Sequence, residues 1–146
     1  MKVELIILQS VEEYKSAYEE HFVNCEIFLG EIPILFDIKS FDHIFYEPGK
    51  LGSEYRFSTR RAKRMLFIKQ ILSQAVEIEI MHEADRGTFA IFCLDLECVV
   101  YLRARPGTGG LQIGSFFDFG ENHTKMYHKQ KKKCEPITLQ EIRKML

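Results

Sequence analysis

An uninterrupted run of helix-forming residues near the middle of the chain constrains the fold more than any other feature. Residues 57–72, with the sequence FSTRRAKRMLFIKQIL, contain neither Pro nor Gly. Ser58 or Thr59 can cap the first turn, because a hydroxyl oxygen there accepts a hydrogen bond from an otherwise unpaired backbone N–H group. At about 100° per residue, four apolar side chains fall on one face that we expect to be buried: Ala62, Met65, Ile68 and Leu72. The run predicts one long helix that the rest of the protein largely encloses.

The first two turns of this helix carry a concentration of positive charge. Arg60, Arg61, Lys63 and Arg64 lie there, although a helix N-terminus already carries about half a positive charge. Free N–H groups at that end attract anions, so one interpretation is that the arginines help to bind a phosphate or carboxylate. The other is that they pair with acidic side chains of neighbouring strands, or extend along the surface, and bind no ligand. The sequence alone leaves both interpretations open.

Capping boxes mark two further helices. In a capping box, a Ser or Thr side chain bonds the backbone N–H of a Glu three residues later, and the Glu side chain bonds back. Ser10 and Glu13 predict a first amphipathic helix over about residues 11–22. Thr138 and Glu141 predict a short helix from 138 to 146. One helix is therefore expected near each end of the chain.

Short apolar or alternating segments predict the strands. In chain order they are 27–30 and 34–36 (either of which could be a strand), 76–80, 88–94, 98–104 and 111–119, which we expect to be the last. Asp95-Leu96-Glu97 separates two of these runs, so a hairpin is expected there. Glu77 and Glu79 share one face of their strand and are candidates to pair with arginines.

Helices that are separate from a run of consecutive strands are typical of the α+β class. We therefore expect an α+β fold in which N-terminal helices pack on a mainly antiparallel sheet of four to five strands. A chain of 146 residues suits one domain with one core. We expect residues 1–146 to form that domain, with a lysine-rich tail and the short C-terminal helix in residues 122–146.

Composition excludes some classes of protein. The net charge is −1, so any nucleic-acid binding would need a local basic surface. No apolar run approaches the roughly 18 residues that span a membrane, and the N-terminus is too short and too acidic for a signal peptide. We expect a cytoplasmic protein, or one delivered by a route that leaves no cleaved signal, with no membrane partner.

Few residues are candidates for catalysis or metal binding. His43 is the best candidate for acid–base chemistry, because an unperturbed imidazole titrates near pH 6.5; a half-buried structural histidine is the alternative. The four cysteines form no CxxC pair, and we expect reduced, buried thiols: Cys25, Cys93, Cys98 and Cys134. We predict no metal site and no cofactor.

Three features together resemble a known family. They are a histidine in the sequence FDHIF, a helix of the form R-A-x-R followed by apolar and aromatic residues, and consecutive strands after it. This order is similar to that of the toxin-like nucleases of the barnase–EndoU–colicin–RelE fold, and in particular to their phage-associated members. The resemblance covers about residues 36–119, which would be the nuclease-like core. Nucleases of this group cleave RNA without a metal, with active residues scattered over one helix and one sheet face.

The resemblance implies an active site. His43 would match the histidine of the group, Arg61 and Arg64 the R-A-x-R pair, and Ser115 a hydroxyl residue on a late strand. The implied reaction is attack of the ribose 2′-OH on the adjacent phosphate, with His43 as acid or base. Arg61 and Arg64 would hold the phosphate and stabilise the charge that develops on its oxygens. The implied partners are RNA, through its phosphate backbone, and a cognate antitoxin or immunity protein.

Two non-catalytic functions compete with this one. Twelve Phe and six Tyr with little net charge also suit a protein-recognition surface, as in a partner protein of a mobile-element or toxin–antitoxin system. The same arginines would also serve a domain that binds a small anion without reacting with it. The gathering of His43, Arg61 and Arg64 around one phosphate would favour the nuclease.

Overall fold

The computed structural model describes residues 3–49, 54–74, 80–83, 87–119, 125, 127–129, 132 and 134–146. Helices lie at α1 (Val11–Tyr18, continued by a π-helical turn at Glu19–Val23), α2 (Ser40–Phe45), α3 (Thr59–Ala62), α4 (Met65–Gln74) and α5 (Leu139–Lys144). Strands lie at β1 (Ile27–Leu29), β2 (Ile32–Leu35), β3 (Tyr46–Pro48), β4 (Tyr55–Phe57), β5 (Ile80–Glu83), β6 (Thr88–Cys93), β7 (Cys98–Arg105), β8 (Gly110–Asp118) and β9 (Glu135–Ile137).

Seven of these strands form one mixed sheet in the order β1-β2-β8-β7-β6-β5-β9, and β3 pairs with β4 in a separate hairpin. The β2–β8 pair is parallel, and the other pairs in the sheet are antiparallel. The α+β class and the hairpin of β6 and β7 are therefore confirmed. The sheet is larger than the four or five strands expected, and it is mixed.

Both edges of the sheet contain strands that explain this difference. At one edge, both short apolar pieces become strands, because Gly30 with a φ of 61° makes a tight turn between β1 and β2. At the other edge, β9 lies in the region predicted to be a polar tail, so β8 is not the last strand. Ile137 of β9 pairs with Ile80 of β5 and packs against the main core. A three-residue strand with one such contact produces no periodic signal in the sequence.

The predicted single helix over residues 57–72 is wrong, because α3 ends at Ala62 and α4 begins at Met65. The Lys63 carbonyl accepts a hydrogen bond from the Ile6 N–H at 2.8 Å. The N-terminal segment thus bonds the backbone at the break between the helices. The expected cap is present, since the Ser58 hydroxyl accepts from the Arg61 N–H at 3.2 Å. The expected buried face is also confirmed, although two helices share it: Ala62, Met65, Ile68 and Leu72.

The main core lies between one face of the sheet and helices α1, α2 and α4. A second, smaller core covers part of the other face and includes Met81, Phe92 and Val99. Helix α5 follows β9 at one edge, yet it touches the turn beside β1 at the other: Arg143 forms an ion pair with Glu31. Helix α5 therefore connects the two edges of the sheet.

The four cysteines are free thiols. Cys93, Cys98 and Cys134 are buried as predicted, whereas Cys25 is exposed. Burial raises the pKa of the Cys98 thiol to about 12, so this thiol is protonated at neutral pH and packs as a small apolar side chain.

Candidate functional site

A cleft of about 400 Å³ opens on the sheet face that carries the second core. Its size falls within the range of roughly 300–1,000 Å³ that is usual for ligand sites. Side chains from α2 and from four adjacent strands line it: His43, Glu83, Thr88, Tyr101, Arg103, Gly114 and Ser115. The cleft therefore combines an imidazole, a carboxylate, a guanidinium and hydroxyl groups.

The strand register places these side chains in two rows. In one row, Glu83 on β5 lies opposite Thr88 on β6, and Thr88 lies opposite Arg103 on β7. In the next row, Tyr101 lies opposite Ser115 on β8. Side chains two residues apart on a strand share a face, and directly opposite Cβ atoms are about 4.5–5.5 Å apart. Arg103 therefore lies near the centre of the cleft floor.

A β-bulge shapes the end of the cleft formed by β8. Tyr101 pairs with Ser115 but Leu102 pairs with Ile113, so Gly114 is the extra residue. The bulge brings Ser115 onto the cleft face. A Cβ atom on Gly114 would lie 3.3 Å from the Tyr101 carbonyl oxygen and 3.7 Å from Arg103 Cγ. Glycine at this position thus leaves room for the Arg103 side chain.

Helix α2 places His43 at the cleft. The sequence pattern predicted neither a helix nor a strand for this segment, although its histidine was a candidate for catalysis. Phe41 and Phe45 pack around the buried Tyr18, with ring centroids 5.7 Å from it in both cases. They fix one side of α2 in the core, while Asp42 and His43 are exposed on the other side. The aromatic core therefore directs the imidazole outward.

Asp37 fixes the start of α2. Its Oδ1 accepts hydrogen bonds from the Ser40 N–H at 2.9 Å and from the Ser40 hydroxyl at 2.7 Å. The bond from the Ser40 hydroxyl is the main cause that lowers the pKa of the Asp37 carboxyl, and the backbone bond also contributes. The ionised carboxylate of Asp37 therefore stabilises the turn at the start of α2, the helix that carries His43.

Replacing Asp37 with Ala is expected to lower the free energy of unfolding by about 0.5–2 kcal/mol, as for a lost helix cap. Because the folded-state pKa is depressed, the stabilisation is present above the unfolded value of about 3.9 and disappears as the pH falls through the folded value. Urea titrations of both proteins at pH 7 and near pH 3 measure this. A difference between the proteins that persists undiminished at acid pH would contradict the assignment.

Arg61 is held by the protein itself. Its Nη2 lies 3.4 Å from Oε2 of Glu47, and its Nη1 donates to the carbonyls of Ile44 and Tyr46 at 3.4 and 3.5 Å. Its guanidinium also lies over the Phe117 ring, 5.6 Å from the centroid. Burial lowers the pKa of Arg61, and the charge of Glu47 acts against this. Arg61 therefore joins the end of α2 to α3 and does not line the cleft of His43.

Arg64 also lies outside this cleft. Its guanidinium donates to the Arg60 carbonyl at 2.8 Å, and Arg60 forms an ion pair with Asp118. Arg60, Arg64 and Asp118 line a different cleft.

The structure thus brings together two of the four residues predicted for the site. His43 and Ser115 line one cleft, whereas Arg61 and Arg64 are not among the residues that line it. The arginine that lines the cleft is Arg103, which sequence reasoning missed. The sequence feature that indicates Arg103 is the alternation along β7, where Tyr101 and Arg103 alternate with buried Val100 and Leu102. Glu77 and Glu79, the acids proposed to pair with arginines, lie outside the described residues.

Replacing Arg61 with Ala is expected to lower the free energy of unfolding by about 1–3 kcal/mol, because two carbonyl oxygens at the end of α2 lose a charged donor. Arg61→Met keeps the packing on Phe117 but not the hydrogen bonds, so it separates the two contributions. Urea denaturation of the three proteins provides the measurement. Equal stability of all three would show that Arg61 does not hold α2.

Comparisons with protein-family models, with curated proteins and with solved structures found no match to this chain. Within the described residues, no three His, Cys, Asp or Glu side chains are grouped so that they could hold a metal ion. In the same part of the chain, none of the helices has the length and apolar character needed to cross a bilayer.

Proposed function

We propose that this protein is a toxin-like endoribonuclease that cleaves RNA without a metal, by attack of the ribose 2′-OH on the adjacent phosphate. The observation that carries the proposal is the cleft in which Arg103 lies between Glu83 on one side and Ser115 and His43 on the other. The cleft also agrees with the resemblance to the barnase–EndoU–colicin–RelE group, in which active residues come from one helix and one sheet face. In this protein the helix that contributes to the cleft is α2, and not the arginine-rich helix that the resemblance implied.

Arg103 is assigned to the phosphate. No hydrogen bond or ion pair joins its guanidinium to another residue in the described part of the chain, and its side chain is exposed to the cleft. A guanidinium can donate two parallel hydrogen bonds to phosphate oxygens. These bonds strengthen as negative charge develops on the equatorial oxygens of the transition state. The Ser115 hydroxyl is a further hydrogen-bond donor, at the end of the cleft formed by β8.

The proton transfers are assigned to the two ends of the cleft. In-line attack places the entering and leaving oxygens on opposite sides of phosphorus, so the base and the acid must also lie on opposite sides. Glu83 and Ser115 are three strand spacings apart, or about 14 Å measured across the strands, and His43 lies on the Ser115 side, because α2 contacts β8. The Glu83 carboxylate takes the 2′-OH proton as the O2′–P bond forms. The His43 imidazolium gives its proton to O5′ as the P–O5′ bond breaks. The products are a 2′,3′-cyclic phosphate and a 5′-OH end.

The wider setting of this proposal follows from the resemblance. A ribonuclease of this kind in the cytoplasm would act as a toxin, and a cognate antitoxin or immunity protein would keep it inactive in the cell that makes it. The relatives that it resembles are phage-associated, so a mobile element is the proposed source.

The direct test is cleavage of a labelled single-stranded RNA by the purified protein in the presence of EDTA. We expect fragments that end in a 2′,3′-cyclic phosphate, and no cleavage of the same sequence with 2′-O-methyl groups, which lack the attacking hydroxyl. Glu83→Gln, prepared in the same way, controls for contaminating nucleases. Absence of cleavage, or equal cleavage by Glu83→Gln, would remove the proposal.

A non-catalytic anion-binding domain is the second candidate. It is favoured by the fact that Arg103 is the one guanidinium among the residues that line the cleft. This function predicts that the 2′-O-methyl RNA binds as well as the unmodified RNA, that Arg103→Ala abolishes binding of both, and that neither is cleaved.

A further inference from the structure

A second cleft, of about 590 Å³, lies where the N-terminal segment passes the turn between β6 and β7. The segment forms one wall, and it is held by its backbone. Ile6 donates its N–H to Lys63 at 2.8 Å, and the Tyr14 hydroxyl donates to the Ile6 carbonyl at 3.0 Å. With Ile6 fixed in this way, the side chains on either side of it, Leu5 and Ile7, remain 42% and 73% exposed.

The opposite wall is the β6–β7 turn, which also exposes an apolar side chain. Leu94 is 46% exposed, and Asp95 and Leu96 line the cleft beside it. The large apolar residues that are similarly exposed in the described part of the chain are Leu5, Ile7, Phe28, Tyr55, Leu94 and Met145. Of these, Leu5 lines the cleft, and Ile7 and Leu94 lie next to its lining residues on the two segments that form its walls. Single exposed apolar residues need no explanation, but a cluster of them marks an interaction surface.

The charges around the cleft are predominantly negative. Four carboxylates line it, those of Glu4, Asp95, Glu97 and Asp118, against the guanidiniums of Arg60 and Arg64. Arg60 and Asp118 neutralise each other on the floor. The carboxylates of Glu4 and Asp95 lie on the two walls, each next in sequence to one of the exposed leucines. The walls therefore combine exposed apolar side chains with negative charge.

We propose that this cleft binds a polypeptide segment of a partner protein in which Lys or Arg residues alternate with large apolar residues. The apolar side chains of the segment cover Leu5, Ile7 and Leu94, and its cations face Glu4 and Asp95. An RNA strand does not suit these walls, because its phosphates would meet carboxylates. This inference uses none of the residues assigned to RNA cleavage, so it stands or fails separately from that function.

The test uses fluorescein-labelled seven-residue peptides and fluorescence anisotropy. A peptide of alternating Lys and Leu is expected to bind. Alternating Lys and Ser is expected to bind at least about tenfold more weakly, since burial of each leucine is worth about that factor. Alternating Glu and Leu is also expected to bind more weakly, because its carboxylates would meet those of Glu4 and Asp95. Added salt should weaken binding of the Lys–Leu peptide, since exposed ion pairs are screened. Equal binding of the Lys–Leu and Glu–Leu peptides would overturn the proposal.

Matched variants locate the site. Leu5→Ser with Leu94→Ser should weaken binding of the Lys–Leu peptide at least about tenfold, whereas Phe28→Ser, at a side chain that is 45% exposed elsewhere, should not. Asp95→Asn should weaken binding and Glu12→Gln, at an exposed acid of α1, should not. Amide NMR shifts on peptide addition should concentrate at residues 3–7 and 94–97. Shifts elsewhere, an equal effect of Phe28→Ser, or RNA that competes with the peptide for this cleft would each contradict the proposal.

Discussion

Replacing Arg103 with Ala is expected to lower kcat for RNA cleavage about 10²–10³-fold, which is the usual effect of removing one donor to the charge that develops in a transition state. The reason is its position near the centre of the cleft floor, between Thr88 on β6 and Gln112 on β8. Arg103→Lys should recover only part of the rate, since an ammonium group cannot form two parallel bonds to phosphate. Initial rates on a labelled RNA, with folding checked by circular dichroism, provide the measurement.

Arg105→Ala is the matched control for this variant. Arg105 lies two residues further along β7, on the same face, and pairs with Gly110 at the end of the strand, outside the residues that line the cleft. We expect its cleavage rate to stay within a few-fold of that of the wild type. Equal losses in Arg103→Ala and Arg105→Ala would mean that the two arginines act only through the general positive charge of the surface. Loss in Arg61→Ala and none in Arg103→Ala would instead support the site that the sequence predicted.

Replacing His43 with Ala is expected to lower kcat about 10²–10⁴-fold, the usual contribution of a positioned acid or base. The side chain lies on the exposed face of α2 and its removal leaves the aromatic contacts of that helix in place. Stability should therefore change little, within about 0.5 kcal/mol, as for other surface substitutions. Loss of activity without loss of stability would separate a catalytic role from a structural one.

The pH dependence provides a second measurement of the same variant. The wild-type profile of kcat/KM should be bell-shaped, because it requires ionised Glu83 and protonated His43. In His43→Ala the alkaline limb should disappear, and added imidazole should restore part of the rate. His21→Ala, at a half-buried histidine in the turn after α1, should keep the wild-type profile. A profile in His43→Ala that keeps both limbs would exclude His43 as the acid.

Local chemistry in the sequence predicted much of the fold. The Ser and Thr caps at Ser10, Ser58 and Thr138 are all present, because each depends on a hydroxyl and a backbone N–H three residues away. The strands β6, β7 and β8 were found because they are long enough for their composition and alternation to be visible. The α+β class followed from the order of these elements.

The size of the sheet and the break in the central helix depend on contacts between distant residues. At the break, the Lys63 carbonyl accepts a hydrogen bond from the Ile6 N–H, and nothing in the sequence of residues 57–72 indicates that Ile6 is its partner. The short strands β1, β2 and β9 are stable because each has a neighbouring strand to pair with. A segment of three or four residues has too few positions to show a period of its own.

The candidate site likewise depends partly on local sequence and partly on tertiary packing. His43 was a candidate because of its own chemistry and Ser115 because of the resemblance, and the tertiary structure brought them into one cleft on the second face of the sheet. Arg103 is among the residues that line this cleft, and Arg61 and Arg64 are not. The residue types and their alternation are properties of the chain, so they can be read locally. Which arginine faces a cavity and which is held by Glu47 or by a carbonyl depends on the packing of α2, α3 and β8, which the order of residues does not record.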